Sequence, residues 1–134
     1  MNTVNSIRES GELELGVLVD GVVHRVFTVR PATLADTYRA AESVAVPDNL
    51  VDDQAARVAY QMAVDDAQIL CQLERLGGLP SVPSPRALAS ELDPDDMAIL
   101  RKAADSVKKK LHESRQNLPL TGEPNTSSSA PASP

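Results

Sequence analysis

Alternating apolar and polar positions predict a β-hairpin near the start of the chain. The first strand carries apolar residues at alternate positions, and the second has three on one face: Leu13, Leu15, Val17 and Val19, then Val23, Phe27 and Val29. Asp20-Gly21 lies between them, and both residue types tolerate the positive φ that a type I′ turn requires. The pattern predicts a hairpin over residues 12–30, after a flexible N-terminus over residues 1–11.

A strand-to-helix junction follows in residues 30–36, which read RPATLAD. Pro31 has no N–H to donate to a β-ladder, so it should end the second strand. Thr33 and Asp36 have the spacing of a capping box, with Asp in place of the usual Glu. The first helix is therefore predicted over residues 34–45.

A longer amphipathic stretch predicts a second helix over residues 52–76. Its apolar residues recur at steps of three and four, with Asp66 as the one polar interruption: Ala55, Val58, Ala59, Met62, Ile69, Leu70, Leu73 and Leu76. Asp52 is the predicted N-cap and Gly77 the predicted residue of positive φ after the helix. Residues 77–85 contain three prolines and predict an extended linker, followed by a short turn over residues 86–91.

The strongest helix start comes at Asp93-Pro94, a capping residue followed by proline at the first helical position. It predicts a third helix over residues 94–113, with a narrow apolar seam of Met97, Leu100, Ala104, Val107 and Leu111. One interpretation is that this seam packs on the second helix of the same chain. The other, kept as a partner-binding hypothesis, is that it is offered to a partner helix or to a second copy. Residues 117–134 have little apolar bulk and are predicted to be a disordered tail.

These elements predict an α+β fold in one small domain over residues 12–116. An N-terminal β-hairpin should pack on a small helical layer of two to three main helices. In this arrangement, the apolar face of the second strand (Val23, Phe27 and Val29) contacts residues of the first two helices. Those residues are Leu34, Val58, Met62, Ile69 and Leu73.

The net charge of −6 is unevenly distributed. Residues 1–100 hold seven arginines, no lysine and sixteen acidic residues, whereas residues 101–134 hold six basic and three acidic residues. An acidic body argues against general nucleic-acid binding, which depends on neutralising phosphates, and leaves only the last helix for it.

The single cysteine, Cys71, excludes an intramolecular disulfide, and no apolar run approaches the ~20 residues of a membrane span. We therefore expect a cytoplasmic protein that does not enter membranes.

The sequence contains no pattern typical of a catalytic or metal site. His24 and His112 have no partner at ligand spacing, and Asp65-Asp66 with Glu74 needs a second helix to close a site. Cys71 has no nearby base and is interpreted as a small buried apolar residue. We expect no catalytic, cofactor-binding or metal-binding residues, no cofactor and no enzymatic activity.

The hairpin, the RPATLAD junction, the long second helix and the segment LDPDDMAIL at residues 92–100 resemble the tail assembly chaperones of Mu-like and related contractile or long-tailed phages. This resemblance covers residues 12–113. It implies a non-enzymatic protein of the host cytoplasm that binds the tape measure protein, keeps it soluble during tail assembly and is absent from the mature virion. Self-association is compatible with it.

Two alternatives remain beside this family. The chain could be a small regulatory or adaptor protein that binds a partner or DNA through its basic C-terminal helix, which predicts a steep dependence of binding on salt. It could also be a structural virion component, which would remain in purified particles.

Overall fold

The computed structural model describes residues 7–120, and within them the fold is α+β, as predicted. Three antiparallel strands form one sheet in the order β1-β2-β3. The strands are β1 (Glu9–Val19), β2 (Val22–Val29) and β3 (Leu73–Leu76), and the helices are α1 (Leu34–Ser43), α2 (Gln54–Cys71), α3 (Pro85–Glu91) and α4 (Pro94–Gln116).

The hairpin turn has the predicted geometry. Asp20 has φ of 51° and Gly21 has φ of 79°, and Val19 pairs with Val22 directly across the turn. β1 begins at Glu9, which pairs with Val29, so the prediction of a flexible N-terminus is wrong for residues 9–11. Backbone pairing with β2 orders these residues although they carry no apolar pattern. Residues 1–6 of that predicted segment lie outside the described residues.

A bulge interrupts β1 and breaks the predicted alternation. Glu12 pairs with Val26 and Val17 with His24, so four residues of β1 lie opposite the single residue Arg25. Leu13 and Val17 remain buried on either side of the bulge. Leu15, which the alternation placed on the same face, is instead 61% exposed. The extra residues change which side chains face the core, as bulges do.

Residues 73–76 form a strand, so the prediction of a single helix over residues 52–76 is wrong at its C-terminal end. α2 ends at Cys71, and β3 pairs with β2 through Phe27–Leu76, Thr28–Arg75 and Val29–Leu73. Glu74 is the unpaired residue of a second bulge. Because of this bulge Leu73 and Leu76 both reach the core although they are three residues apart, which is also helical spacing.

The first two helices differ from their predicted bounds by a few residues. α1 ends at Ser43, two residues before the predicted end. α2 begins at Gln54, and the carboxylate of Asp53, one residue after the predicted N-cap Asp52, accepts hydrogen bonds from the amides of Ala55 and Ala56. Gly77 does have positive φ, at 54°, but it follows β3 and its amide donates to the Val26 carbonyl over 2.6 Å.

The core lies between the sheet and α2, α3 and α4. Its buried residues are Leu13, Val17, Phe27, Val29, Leu70, Leu73, Leu76, Leu88, Met97, Leu100, Ala103 and Val107. Phe27, Val29 and Leu73 are buried as proposed, and Ile69 packs against the cluster. Four other members of the proposed core are exposed, namely Val23, Leu34, Val58 and Met62. The buried residues of α3 and α4 take their place, so the proposed set of core contacts is wrong for these four.

α4 begins at Pro94 with Asp93 as its N-cap, as predicted, and continues three residues past the predicted end to Gln116. Residues 117–120 of the predicted tail follow the helix and are exposed. The rest of that predicted tail, residues 121–134, lies outside the described residues.

Candidate interaction surfaces

The RPATLAD junction is held together by the buried carboxylate of Asp36. Both terminal nitrogens of Arg30 donate to it over 2.7 Å, and the Thr33 amide donates over 2.8 Å. Arg39, one turn later on α1, also contacts it. Arg30 further donates to the carbonyl of Cys71, which joins the junction to the end of α2. The junction is therefore a structural clamp between β2, α1 and α2.

The hydrogen bonds and charges around Asp36 and Arg30 keep both side chains of this clamp ionised. Burial acts to raise the pKa of the Asp36 carboxyl, but the hydrogen bonds from Arg30 and Thr33 and the charges of Arg30 and Arg39 outweigh burial and hold that pKa below its usual range. The hydrogen bond with Asp36 raises the pKa of Arg30. Both groups thus stay charged at neutral pH.

The seam of α4 that carries the partner-binding hypothesis faces the core of its own chain. Met97, Leu100, Ala104 and Val107 are buried, and Leu111 is half-buried. α4 packs on β1 and also contacts α2, so the seam matches the interpretation of packing within the chain, with β1 as an unpredicted neighbour. A partner could reach these residues only if α4 left the sheet. Partner binding through them remains a prediction.

An apolar strip on the N-terminal half of α2 is exposed instead. It consists of Ala55, Val58, Ala59 and Met62, which we call the α2 stripe, and all four are exposed. Val58 is 53% and Met62 61% exposed. Further along the same helical face, Ile69 packs against the core and Leu70 is buried. The α2 stripe thus lies on the same face of α2 as these core residues, but nearer the N-terminus of the helix, where no other element covers that face among the residues described.

A cleft lined by four arginines lies between the junction, the N-terminal segment and the end of α4. Its volume is about 470 Å³, and its lining residues are Arg8, Arg30, Pro31, Ala32, Thr33, Arg39, Leu111 and Arg115. We call it the arginine cleft. No acidic residue of the part of the chain that the structure describes lines it, although acidic residues outnumber basic ones in the sequence by 19 to 13. The cleft is not evident in the sequence, because its arginines are spread along the chain and share no motif.

The remaining candidate residues have structural roles. The Nδ1 atom of buried His24 accepts a hydrogen bond from the Gly78 amide over 3.3 Å, so His24 joins β2 to the segment after β3. Asp66 pairs with Arg101 of α4 over 2.9 Å. Glu74 pairs with Arg8, which lowers the pKa of Glu74.

Cys71 is half-buried. Between residues 7 and 120, no group of His, Cys, Asp and Glu side chains is arranged to hold a metal ion.

None of the helices described is long and apolar enough to cross a membrane. Comparison with known proteins adds no family to this picture. No protein-family model, curated protein or solved structure matches the chain.

Proposed function

We propose that this chain is a non-enzymatic phage tail assembly chaperone that binds the tape measure protein and keeps it soluble during tail assembly. The resemblance of its hairpin, RPATLAD junction and LDPDDMAIL segment to that family suggests the role. The observation that carries the proposal in the structure is the α2 stripe, an apolar helical face without a covering element among the residues described.

The chemistry of the α2 stripe suits a helical partner. Ala55 and Ala59 are small, so a second helix can approach the backbone of α2 closely, while Val58 and Met62 supply apolar area on the same face. Amphipathic helices bind in this way, through apolar residues spaced three and four positions apart. Methionine also adapts its shape to different partners. A tape measure protein, long and helical in this family, presents repeated apolar helical faces of the kind that this stripe would cover.

The test is co-expression of the chain with the tape measure protein of the same phage. Val58→Asp with Met62→Asp places two charges on the α2 stripe without removing a core residue. We expect this double variant to keep its helical circular dichroism and to lose co-purification with the tape measure protein, which should then become insoluble.

The matched control is Leu34→Asp with Tyr38→Asp on α1. Leu34 is 65% and Tyr38 61% exposed, and they are also one helical turn apart. This control should still bind the tape measure protein and keep it soluble. Undiminished binding by the Val58 and Met62 variant would contradict the proposed surface. Failure of the wild-type chain to bind the tape measure protein would contradict the proposed function.

We further propose that the protein acts in the host cytoplasm and is absent from the mature virion. Mass spectrometry of purified particles tests this directly. A stoichiometric amount of the chain in tails would instead support the alternative of a structural virion component.

The alternative of a DNA-binding adaptor rests on the exposed lysines Lys108 and Lys109 near the end of α4. Lys110 of the same run is engaged with Glu9 over 2.5 Å. This alternative predicts binding to duplex DNA that weakens steeply with salt, because counterions are released from phosphates.

A further inference from the structure

We propose that the arginine cleft binds the carboxylates of an acidic peptide segment. This site contains none of the residues of the α2 stripe and does not depend on the chaperone proposal. The first observation is the composition of its wall. Four of the thirteen basic residues of the chain line a cavity of about 470 Å³, and no acidic residue between positions 7 and 120 does. A cleft lined by one sign of charge concentrates its field and attracts ligands of the opposite sign.

The acidic partners of these arginines leave part of the charge uncompensated. Asp36 is shared by Arg30 and Arg39, and its side chain is fully buried. Glu74 pairs with Arg8 but does not line the cleft. Among residues 7–120, Asp36 is thus the one carboxylate paired with any of Arg30, Arg39 and Arg115, which leaves an excess of two positive charges on these three side chains.

Of the four arginines, Arg30 is fully engaged and Arg8 pairs with Glu74, whereas two others can reach a ligand. All four N–H groups on the terminal nitrogens of Arg30 are used, by Asp36 and by the carbonyls of Pro31 and Cys71. Arg39 is 54% exposed, and its one described ion pair, with Asp36, leaves other N–H groups available. Arg115 is exposed and has no ion pair within residues 7–120. Arg39 and Arg115 are therefore the groups that would bind the ligand. Arg30 adds positive charge to the wall of the cleft without contacting the ligand.

The size and surroundings of the cleft favour a peptide carboxylate. The guanidinium fork matches the two oxygens of a carboxylate. The half-buried Leu111 and the Pro31-Ala32 segment add apolar wall, which suits the aliphatic part of a glutamate side chain. A long polyanion such as duplex DNA would also meet the acidic body of the chain, which residues 1–100 make strongly negative.

The experiment uses the full chain and a fluorescein-labelled hexaglutamate peptide, with binding followed by fluorescence anisotropy. Arg115→Gln removes one ligand-facing charge from an exposed position, so the variant should keep the circular dichroism and melting temperature of the wild type. We expect its affinity for the peptide to fall about fivefold. Adding Arg39→Gln should lower it further.

The matched control is Lys109→Gln, which removes the same charge from an exposed position on the same helix but outside the cleft. Its affinity should stay within about twofold of the wild type.

No binding by the wild-type chain would overturn the proposal. An equal loss of affinity in Lys109→Gln and Arg115→Gln would also overturn it, since that result indicates unspecific attraction of the peptide to α4. A twenty-base-pair DNA duplex that binds more tightly than the peptide and is lost in Arg115→Gln would also overturn it, in favour of nucleic acid. If the double variant misfolds, Arg115→Gln alone decides.

Discussion

The buried carboxylate of Asp96, in the first turn of α4, accepts a hydrogen bond of 3.0 Å from the amide of Gly16, eighty positions earlier in the chain. The two preceding amides donate to the same carboxylate, Glu14 over 2.7 Å and Leu15 over 3.2 Å. These three amides belong to the bulge of β1, where no strand can satisfy them. Asp96 therefore takes the place of a neighbouring strand and ties α4 to the sheet.

The first prediction is that Asp96→Asn destabilises the protein strongly. The amide side chain keeps one acceptor oxygen but turns an N–H₂ group toward backbone donors, so part-buried backbone N–H groups lose their acceptor. Because each such loss costs about 1–3 kcal/mol, we expect the free energy of unfolding to fall by about 3 kcal/mol. Urea denaturation followed by circular dichroism measures this. Asp95→Asn, exposed in the same turn, is the control and should change little; equal effects would show that the carboxylate of Asp96 is not what holds the bulge.

The second prediction concerns the pH dependence of the Arg30–Asp36 clamp. The folded state holds the pKa of Asp36 below its ordinary value of 3.8. A lowered carboxyl pKa contributes stability that is fully present above the unfolded pKa and is lost as the pH falls through the folded one. Asp36→Asn should therefore be less stable than the wild type by about 3 kcal/mol at pH 7. This difference in the free energy of unfolding between the wild type and Asp36→Asn should become smaller as the pH falls below about 4.

Urea unfolding at pH 7, 5, 4, 3 and 2 tests this prediction. Glu74→Gln is the matched control, since it also removes a carboxylate paired with an arginine but from an exposed position. Its cost at pH 7 should not exceed about 1 kcal/mol. A gap between Asp36→Asn and the wild type that stays constant down to pH 2 would mean that Asp36 does not titrate in the clamp.

Much of the fold could be predicted from local signals. Asp20-Gly21 gave the turn, and Asp93-Pro94 gave the start of α4, because both depend on residues adjacent in the chain. The two bulges could not be predicted in this way. Leu15 has the alternation of a buried strand residue, but distant Asp96 stabilises a backbone path that turns it outward. Leu73 and Leu76 have helical spacing, and only pairing with β2 makes them strand residues.

The candidate surfaces also combine features that are local in the sequence with features that depend on distant parts of the chain. The α2 stripe was visible in the sequence as an apolar face, but its exposure depends on where α3 and α4 lie. The arginine cleft brings together Arg8, Arg30, Arg39 and Arg115, which span more than a hundred positions. Single-sequence periodicity carries no information about such a cluster. Arg30 and Asp36 both lie within the RPATLAD junction, yet only the capping role of Asp36 with Thr33 was predicted, not its ion pair with Arg30.

A third prediction separates the core from the α2 stripe. Phe27 is 1% exposed, so Phe27→Ala should lower the free energy of unfolding by about 3 kcal/mol or more. Met62→Ala should change it by less than about 0.5 kcal/mol, because Met62 is 61% exposed and alanine favours the helix. Thermal melts of both variants give the comparison. A melting temperature unchanged by Phe27→Ala would remove Phe27 from the core.

The last prediction tests whether the seam of α4 belongs to the core or is offered to a partner. Leu100 and Val107 are both 0% exposed, two turns apart on the face that packs against the sheet. Leu100→Asp with Val107→Asp would bury two unpaired carboxylates, which costs far more than the few kcal/mol by which a small domain is stable. The double variant should therefore lose its cooperative thermal transition. The control is Lys102→Asp with Lys109→Asp, which introduces two carboxylates at exposed positions of the same helix and should stay folded. If the Leu100 and Val107 variant instead kept a native melt, α4 would be able to leave the sheet at little cost, and the seam would again be available to a partner.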